Sequence, residues 1–218
     1  VNSKQRRIPV SLDAPIFTLT HAMGFKGVLG GEYSFNRTEA SVWKRFWLPS
    51  SWGKIDCSIK AGAEWNTVPF PLLILPEANL SYITQRETFN LINNMEFLND
   101  RFASVSLSYD MNGKLFNRIP LIKNLKWREM FRVRALWGTL TDKNNPFKSS
   151  NPDLFRFPMR DGKFTSFVMD PKIPYVEASV GIYNIFKLLH IEYVHRFTYR
   201  DNPGINKNGV RFMVLMAF

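Results

Sequence analysis

The chain has 218 residues, of which 45% are hydrophobic and 15% aromatic, and its formal net charge is +11. Mean hydropathy is only -0.19, and charged residues interrupt every apolar stretch well before the roughly 18 residues that suggest a spanning helix. The composition therefore excludes a helical membrane protein. Many aromatics without a long apolar run are typical of a membrane β-barrel, and also of a soluble β-protein.

The positive charge raises the question of nucleic-acid binding, because clustered Lys and Arg neutralise phosphates. Most basic residues here stand singly among apolar ones, as Arg132 and Arg196 do, and only residues 4–7 form a short run. This spacing indicates solvated faces and turns rather than a nucleic-acid site. The excess charge would suit an acidic surface such as the phosphates of lipopolysaccharide.

The first nine residues are polar and basic, without an apolar segment of a signal peptide behind them. We therefore expect the sequence to start inside a longer reading frame. Two strands are predicted next, at about 16–25 and 31–48. The second is irregular, because Arg37 and Glu39 share a register with Phe35.

Six further segments show a clean period of two, which places alternate side chains on opposite faces of a strand. They lie at about 54–65, 103–110, 131–137, 176–182, 189–199 and 210–218. In the second of these, Val105 and Leu107 alternate with serines. The longer predicted strands, of about 9 to 17 residues, exceed those of ordinary globular sheets and are long enough to cross a bilayer at a tilt.

The connections between these strands alternate in length. Residues 49–53 and 184–187 are short, whereas 66–101 and 139–173 are long, which predicts periplasmic turns and extracellular loops; only 112–126 is long for its side. Periodicity leaves 66–101 open between a strand and a helix, and we expect a structured extracellular loop there.

Charged residues fall on the polar faces of the predicted strands, and they could line a conducting pore or pair with one another across strands. We expect the following to face the lumen: Lys60, Glu64, Arg132, Arg134, Glu177, Glu192, Arg196 and Arg211. Large apolar residues alternate to the end of the sequence, at Val210, Phe212, Val214, Met216 and Phe218.

No catalytic motif is present in the sequence. A Gly-x-Ser-x-Gly elbow is absent, and His190 and His195, five residues apart on one strand, leave opposite faces. Cys57 is the only cysteine, so no internal disulfide can form. We therefore expect a non-enzymatic protein with no metal and no cofactor.

Several stretches resemble a Bacteroidetes outer-membrane family whose members carry a carboxypeptidase-regulatory-like domain followed by a large domain of unknown function. The resemblance covers residues 15–36, 68–82, 94–104, 116–128, 154–158 and 175–218. In that family the matching region is the C-terminal end of a longer protein. The layout is also similar to the C-terminal half of Omp85-type barrels, which implies a full barrel of about 16 strands and makes 66–101 the equivalent of an inward-folded loop. The Val-Arg-Gly-Phe signature of that loop is absent, and the last five alternating apolar residues look like the signal read by the outer-membrane assembly machinery.

These observations predict an all-β fold, an antiparallel transmembrane β-barrel with about eight strands in residues 1–218, which form part of a single barrel domain. Expected partners are outer-membrane lipid, lipopolysaccharide, the upstream half of the same barrel, and other outer-membrane proteins or lipoproteins. The expected role is a structural or accessory subunit of an outer-membrane complex, in protein assembly or export. A porin or transporter for small solutes is the alternative, and a soluble β-sandwich or ligand-binding barrel is a further one.

Overall fold

An eight-stranded antiparallel sheet dominates the computed structural model, which describes residues 14–85, 87–149 and 154–214 and the backbone of residues 2, 3, 6 and 7. The strands are β1 (Ile16–Gly24), β2 (Phe35–Trp47), β3 (Lys54–Glu64), β4 (Arg101–Asp110), β5 (Arg128–Thr139), β6 (Tyr175–Ile185), β7 (Leu189–Arg196) and β8 (Asn208–Val214). Each pairs with its neighbours in sequence, so β1 and β8 are the two edges of this sheet. The prediction of eight antiparallel strands is confirmed.

Little other regular structure accompanies the sheet in the described residues. Two-residue ladders join Asn2–Ser3 to Arg6–Arg7 and Met159–Arg160 to Lys163–Phe164. The single α-helix, α1 (Pro120–Leu125), has six residues, and short 3-10 turns lie at Phe70–Leu72, Phe116–Arg118 and Asp142–Asn144.

The two faces of the sheet differ in chemistry, because alternate side chains along each strand point to opposite faces. Val133, for example, stands opposite Leu107 on one side and Ala178 on the other. We call this side, which also carries Val180, Tyr193 and Phe212, the apolar face. The opposite side carries Arg132, Arg134, Glu177, Glu192 and Arg196 and is called the charged face.

The connections leave from opposite ends of the sheet. Residues 48–53, 111–127 and 186–188 form what we call the turn end, and 25–34, 65–100, 140–174 and 197–207 form the loop end. Gly53 explains one tight turn, since its φ is +91° and a Cβ there would lie 1.8 Å from the carbonyl oxygen of Asp110.

Residues 65–100, called here the covering segment, fold over the charged face. The segment contains one 3-10 turn and isolated bridges such as Ile74↔Asn99, and neither a full strand nor an α-helix occurs among its described residues. Its buried Phe89, Ile92 and Phe97 pack against Leu136 and Tyr175 of the sheet and against Met169. Burial of such side chains stabilises the contact by roughly 1.5–3 kcal/mol each, so this cluster is the main core of the structure.

One strand is shorter than its periodicity predicted. The sequence placed Phe197 and Tyr199 on β7, but the strand ends at Arg196, and Tyr199 has a φ of 52°. Its ring lies 5.1 Å from the ring of Phe97, so Tyr199 packs on the covering segment rather than on the apolar face.

Candidate functional site

All eight charged residues that the sequence singled out lie on the charged face. The strand registers place Lys60 and Glu64 on β3, Arg132 and Arg134 on β5, Glu177 on β6, Glu192 and Arg196 on β7, and Arg211 on β8. Seven of them are buried: Glu64 on β3 and the six on β5 to β8. Since an isolated buried charge is strongly unfavourable, their partners define what this face does.

Among the buried charges of β5 to β7, two ion pairs are formed within the sheet. Arg132 Nη1 lies 2.8 Å from both carboxylate oxygens of Glu192, and this pair reaches across the intervening strand β6. Arg134 Nη1 lies 3.2 Å from Glu177 Oε1 on the adjacent strand. His190 Nε2, 3.3 Å from Glu192 Oε2, adds a polar contact to the first pair. Charge-assisted hydrogen bonds of this kind are about twice as strong as neutral ones.

Glu177 also holds the covering segment. Its carboxylate accepts hydrogen bonds from the backbone N–H groups of Asn90, at 2.8 Å, and Leu91, at 3.0 Å. Tyr175 donates its hydroxyl to the same carboxylate at 2.9 Å. Arg211 donates to the carbonyl oxygen of Asn90 from the edge strand β8. The backbone at residues 90–91 is therefore fixed by charges from two strands.

Arg196 makes the second attachment. Its guanidinium donates to both carboxylate oxygens of Glu96, at 2.5 and 3.0 Å, and to the carbonyl oxygen of Leu91 at 3.2 Å. The side chain is 0% exposed and lies 4.8 Å from the Tyr175 ring centroid. A fully buried guanidinium with this many acceptors locks both partners in one geometry.

Next to this attachment, Tyr199 ties the long 140–174 connection to the covering segment. Burial raises the pKa of its phenol, which stays protonated and donates to the carbonyl oxygen of Ile173 at 2.7 Å.

Part of the charged face borders an open space. A cavity of about 950 Å³ lies between this face and the covering segment, lined mostly by residues of β2 to β5 and also by Ile16 and Thr18 of β1 and by Tyr183, His190 and Met213 of β6 to β8. Hydroxyl groups dominate one wall, from Ser41, Ser58, Ser104, Ser106 and Ser108. Lys60 at its rim binds Glu77 and Glu87 of the covering segment, at 3.1 and 2.8 Å, and Arg37 lies 3.7 Å from Glu64 on the neighbouring strand.

Of the two arrangements that the sequence left open, pairing with an opposite charge is observed for seven of these residues, whereas Arg211 donates to backbone carbonyl oxygens. Sequence reasoning missed Glu77, Glu87 and Glu96, the partners that the covering segment supplies. Their local sequence does not predict this role. Glu96, for example, is surrounded by the apolar residues Met95, Phe97 and Leu98, and its partner Arg196 is distant in sequence.

The described residues hold no group of three or more His, Cys, Asp or Glu side chains that could bind a metal ion. His190 is buried on the charged face, whereas His195 lies on the apolar face with its Nδ1 2.5 Å from Asn208 Oδ1. The two histidines are thus on opposite faces, and the charged face is arranged for holding a segment of its own chain.

The alternating C-terminal residues are seen in part. Val210, Phe212 and Val214 project from the apolar face of β8 and are exposed. Met216 and Phe218, the other two members of the expected assembly signal, lie outside the described residues.

Within the described part of the chain, no helix is both long and apolar enough to cross a membrane. No curated protein and no solved structure matches the sequence. A family model described as the C-terminal domain of a family of unknown function, DUF5686, matches residues 1–147 of the 218-residue chain. The chain therefore belongs to the DUF5686 family, as its C-terminal domain.

Proposed function

We propose that this chain forms part of the wall of an outer-membrane β-barrel, with the apolar face toward lipid and the charged face toward a lumen filled by the covering segment. One observation carries the proposal. Leu107, Val133 and Val180 on the apolar face are 42%, 46% and 46% exposed, while the charged residues of β5 to β8 on the opposite face are buried. Water-exposed sheets show the reverse arrangement, and so large an exposed apolar surface indicates a lipid or protein environment.

Polar groups on the apolar face support this orientation. At the loop end, the indole N–H of Trp65 donates to Thr38 Oγ1 at 2.9 Å, and Tyr193 donates its hydroxyl to Asn208 at 2.9 Å. Amphipathic side chains prefer headgroup depth, so these pairs would mark one boundary of an apolar band.

The edge strands of the sheet point to further strands. In lipid each unsatisfied backbone N–H or C=O costs several kcal/mol, so β1 needs a partner, as does the part of β8 that residues 82–84 do not bridge. A larger barrel, of about 16 strands as the Omp85-like layout implies, would supply them.

The role we assign is that of a non-enzymatic structural or accessory subunit of an outer-membrane complex, in protein assembly or export. Its support is the covering segment: buried charges on β6, β7 and β8 hold residues 90–96, which suits a closed lumen better than an open pore. Outer-membrane lipid, lipopolysaccharide and other outer-membrane proteins or lipoproteins are the partners that this role requires.

Fractionation and conductance of the full-length protein test the proposal. The protein should resist extraction by salt and enter detergent, migrate faster on gels before heating than after, and be silent in planar bilayers. Extraction by salt alone would exclude the membrane assignment and favour a soluble β-fold.

A small-solute porin or transporter is the second candidate, and the serine-lined cavity of about 950 Å³ is the observation in its favour. Neutral hydroxyl surfaces suit the passage of polar solutes, provided that the covering segment leaves a continuous path. Steady conductance of the unmodified protein would favour this role over the structural one.

A further inference from the structure

The connection between β4 and β5 has an unusual charge pattern. Residues 111–127 contain four basic side chains and no acidic one: Lys114, Arg118, Lys123 and Lys126. The neighbouring turns 48–53 and 186–188 contain no acid either. At the loop end, by contrast, acidic and basic residues are mixed. We call residues 111–127 the basic apron.

The basic apron lies on the apolar side of the sheet. Glu129 pairs with Ile182 and lies on the same side of β5 as Phe131, on the apolar face, yet it is buried. The apron covers it, with the backbone N–H of Leu115 donating to Glu129 Oε1. Tyr109 donates its hydroxyl to the carbonyl oxygen of Trp52 at 3.1 Å, which brings the 48–53 turn to the same side.

Apolar side chains of the apron are left uncovered. Leu121 on α1 is 83% exposed, and Leu125, one helical turn later on the same side, is also exposed. Phe186, in the next turn of this end, is 81% exposed. These side chains would extend the apolar face past the last strand residues.

Cations and tryptophan are interleaved with these apolar groups. Lys114 Nζ lies 5.0 Å from the Trp52 ring centroid, and the Arg118 guanidinium lies 6.0 Å from it. The nearest acids are already engaged: Asp110 binds Lys54 and the hydroxyl of Tyr183, and Glu129 binds Leu115. The surface therefore combines uncompensated positive charge, exposed apolar side chains and an aromatic ring.

We propose that the basic apron binds the headgroups of anionic phospholipids in the leaflet at the turn end, with Leu121, Leu125 and Phe186 inserted below them. This inference rests on the proposed membrane location. Basic amphipathic segments that lie along a bilayer combine these two interactions, and a charge-only contact with an acidic protein would leave the apolar side chains in water. Because the basic apron continues the apolar face at the turn end, it would lie at the boundary between the lipid layer and water.

The test uses the full-length protein in neutral detergent, titrated with phosphatidylglycerol or phosphatidylcholine and followed by native mass spectrometry. In the apron variant, Arg118→Gln, Lys123→Gln and Lys126→Gln are combined, because all three side chains are exposed. Each basic group near an anionic surface contributes roughly a fivefold preference, so the apparent affinity for phosphatidylglycerol should fall by about tenfold or more after screening by salt. Affinity for phosphatidylcholine should stay the same.

The matched control removes three exposed lysines from the loop end, in the combined variant Lys163→Gln, Lys172→Gln and Lys207→Gln. It has the same net charge and should bind phosphatidylglycerol like the unmodified protein. Equal loss in both variants, or no loss in either, would overturn the proposal, as would an acidic protein that co-purifies through the apron in the absence of any lipid preference. Membrane insertion is measured separately by gel mobility and protease protection. A protein that binds lipid but does not insert would contradict the proposed barrel without contradicting the proposed lipid-binding site.

Discussion

Glu177 connects three parts of the molecule through one carboxylate: β5 through Arg134, β6 through Tyr175, and the covering segment through residues 90–91. Removing its charge by Glu177→Gln leaves the buried guanidinium of Arg134 without this counter-charge. We expect the free energy of unfolding to fall by about 3–5 kcal/mol, measured by urea titration in detergent.

The control for this substitution is Asp142→Asn. Asp142 pairs with Lys148 at 3.1 Å, and both side chains are largely exposed. Exposed pairs contribute at most about 1 kcal/mol, so the free energy of unfolding should change little. Equal shifts for the two variants would show that Glu177 has no special structural role.

The two faces of β4 give a second prediction at the same scale. Leu107→Arg places a charge on the apolar face, and Ser104→Arg places one in the cavity near Glu77 and Glu87. If the apolar face contacts lipid, Leu107→Arg should reduce the stability of the inserted protein by about 2–4 kcal/mol, whereas Ser104→Arg should be tolerated. Membrane-inserted protein can be measured by protease protection, and equal tolerance of the two substitutions would reverse or remove the assignment of faces.

Among the elements, the covering segment is the one whose release should change function. Glu96 and Glu177 hold it through Arg196 and the backbone of residues 90–91. The double substitution Glu96→Ala and Glu177→Ala should free the segment, increase its cleavage by protease and produce conductance in planar bilayers. Glu77→Ala, which removes one exposed contact of Lys60, is the control and should leave the bilayer silent.

The strands and the covering segment differ in how far the sequence could predict them. A strand can be predicted from its local sequence, because alternate side chains such as Val133 and Arg134 lie on opposite faces of the sheet and differ in polarity. The covering segment has no such period, and its partners are distant: Glu96 and Arg196 are separated by 100 residues. Its location over the charged face followed from no pattern in residues 65–100.

For the whole molecule, the unpaired edges of the sheet lead to a prediction about size. Residues 82–84 bridge part of the outer edge of β8, with the backbone N–H of Thr84 and the carbonyl oxygen of Phe212 2.9 Å apart, whereas β1 is not joined to β8. We therefore expect residues 1–218 expressed alone to give no heat-modifiable, protease-resistant barrel in micelles, and the full-length protein to give one. A stable closed barrel from residues 1–218 would replace the half-barrel with an independent eight-stranded protein.

The attachment of the covering segment has a consequence for the order of folding. Its hydrogen bonds to Glu177, Arg196 and Arg211 span 87, 105 and 121 residues of sequence. Contacts of such high contact order form slowly, because the intervening chain must first be organised. Residues 90–91 can be fixed only after β6, β7 and β8 are in place, so attachment of the covering segment is expected to be a late step in folding. A folding intermediate that lacks β8 would therefore keep the charged residues of β6 and β7 accessible to water.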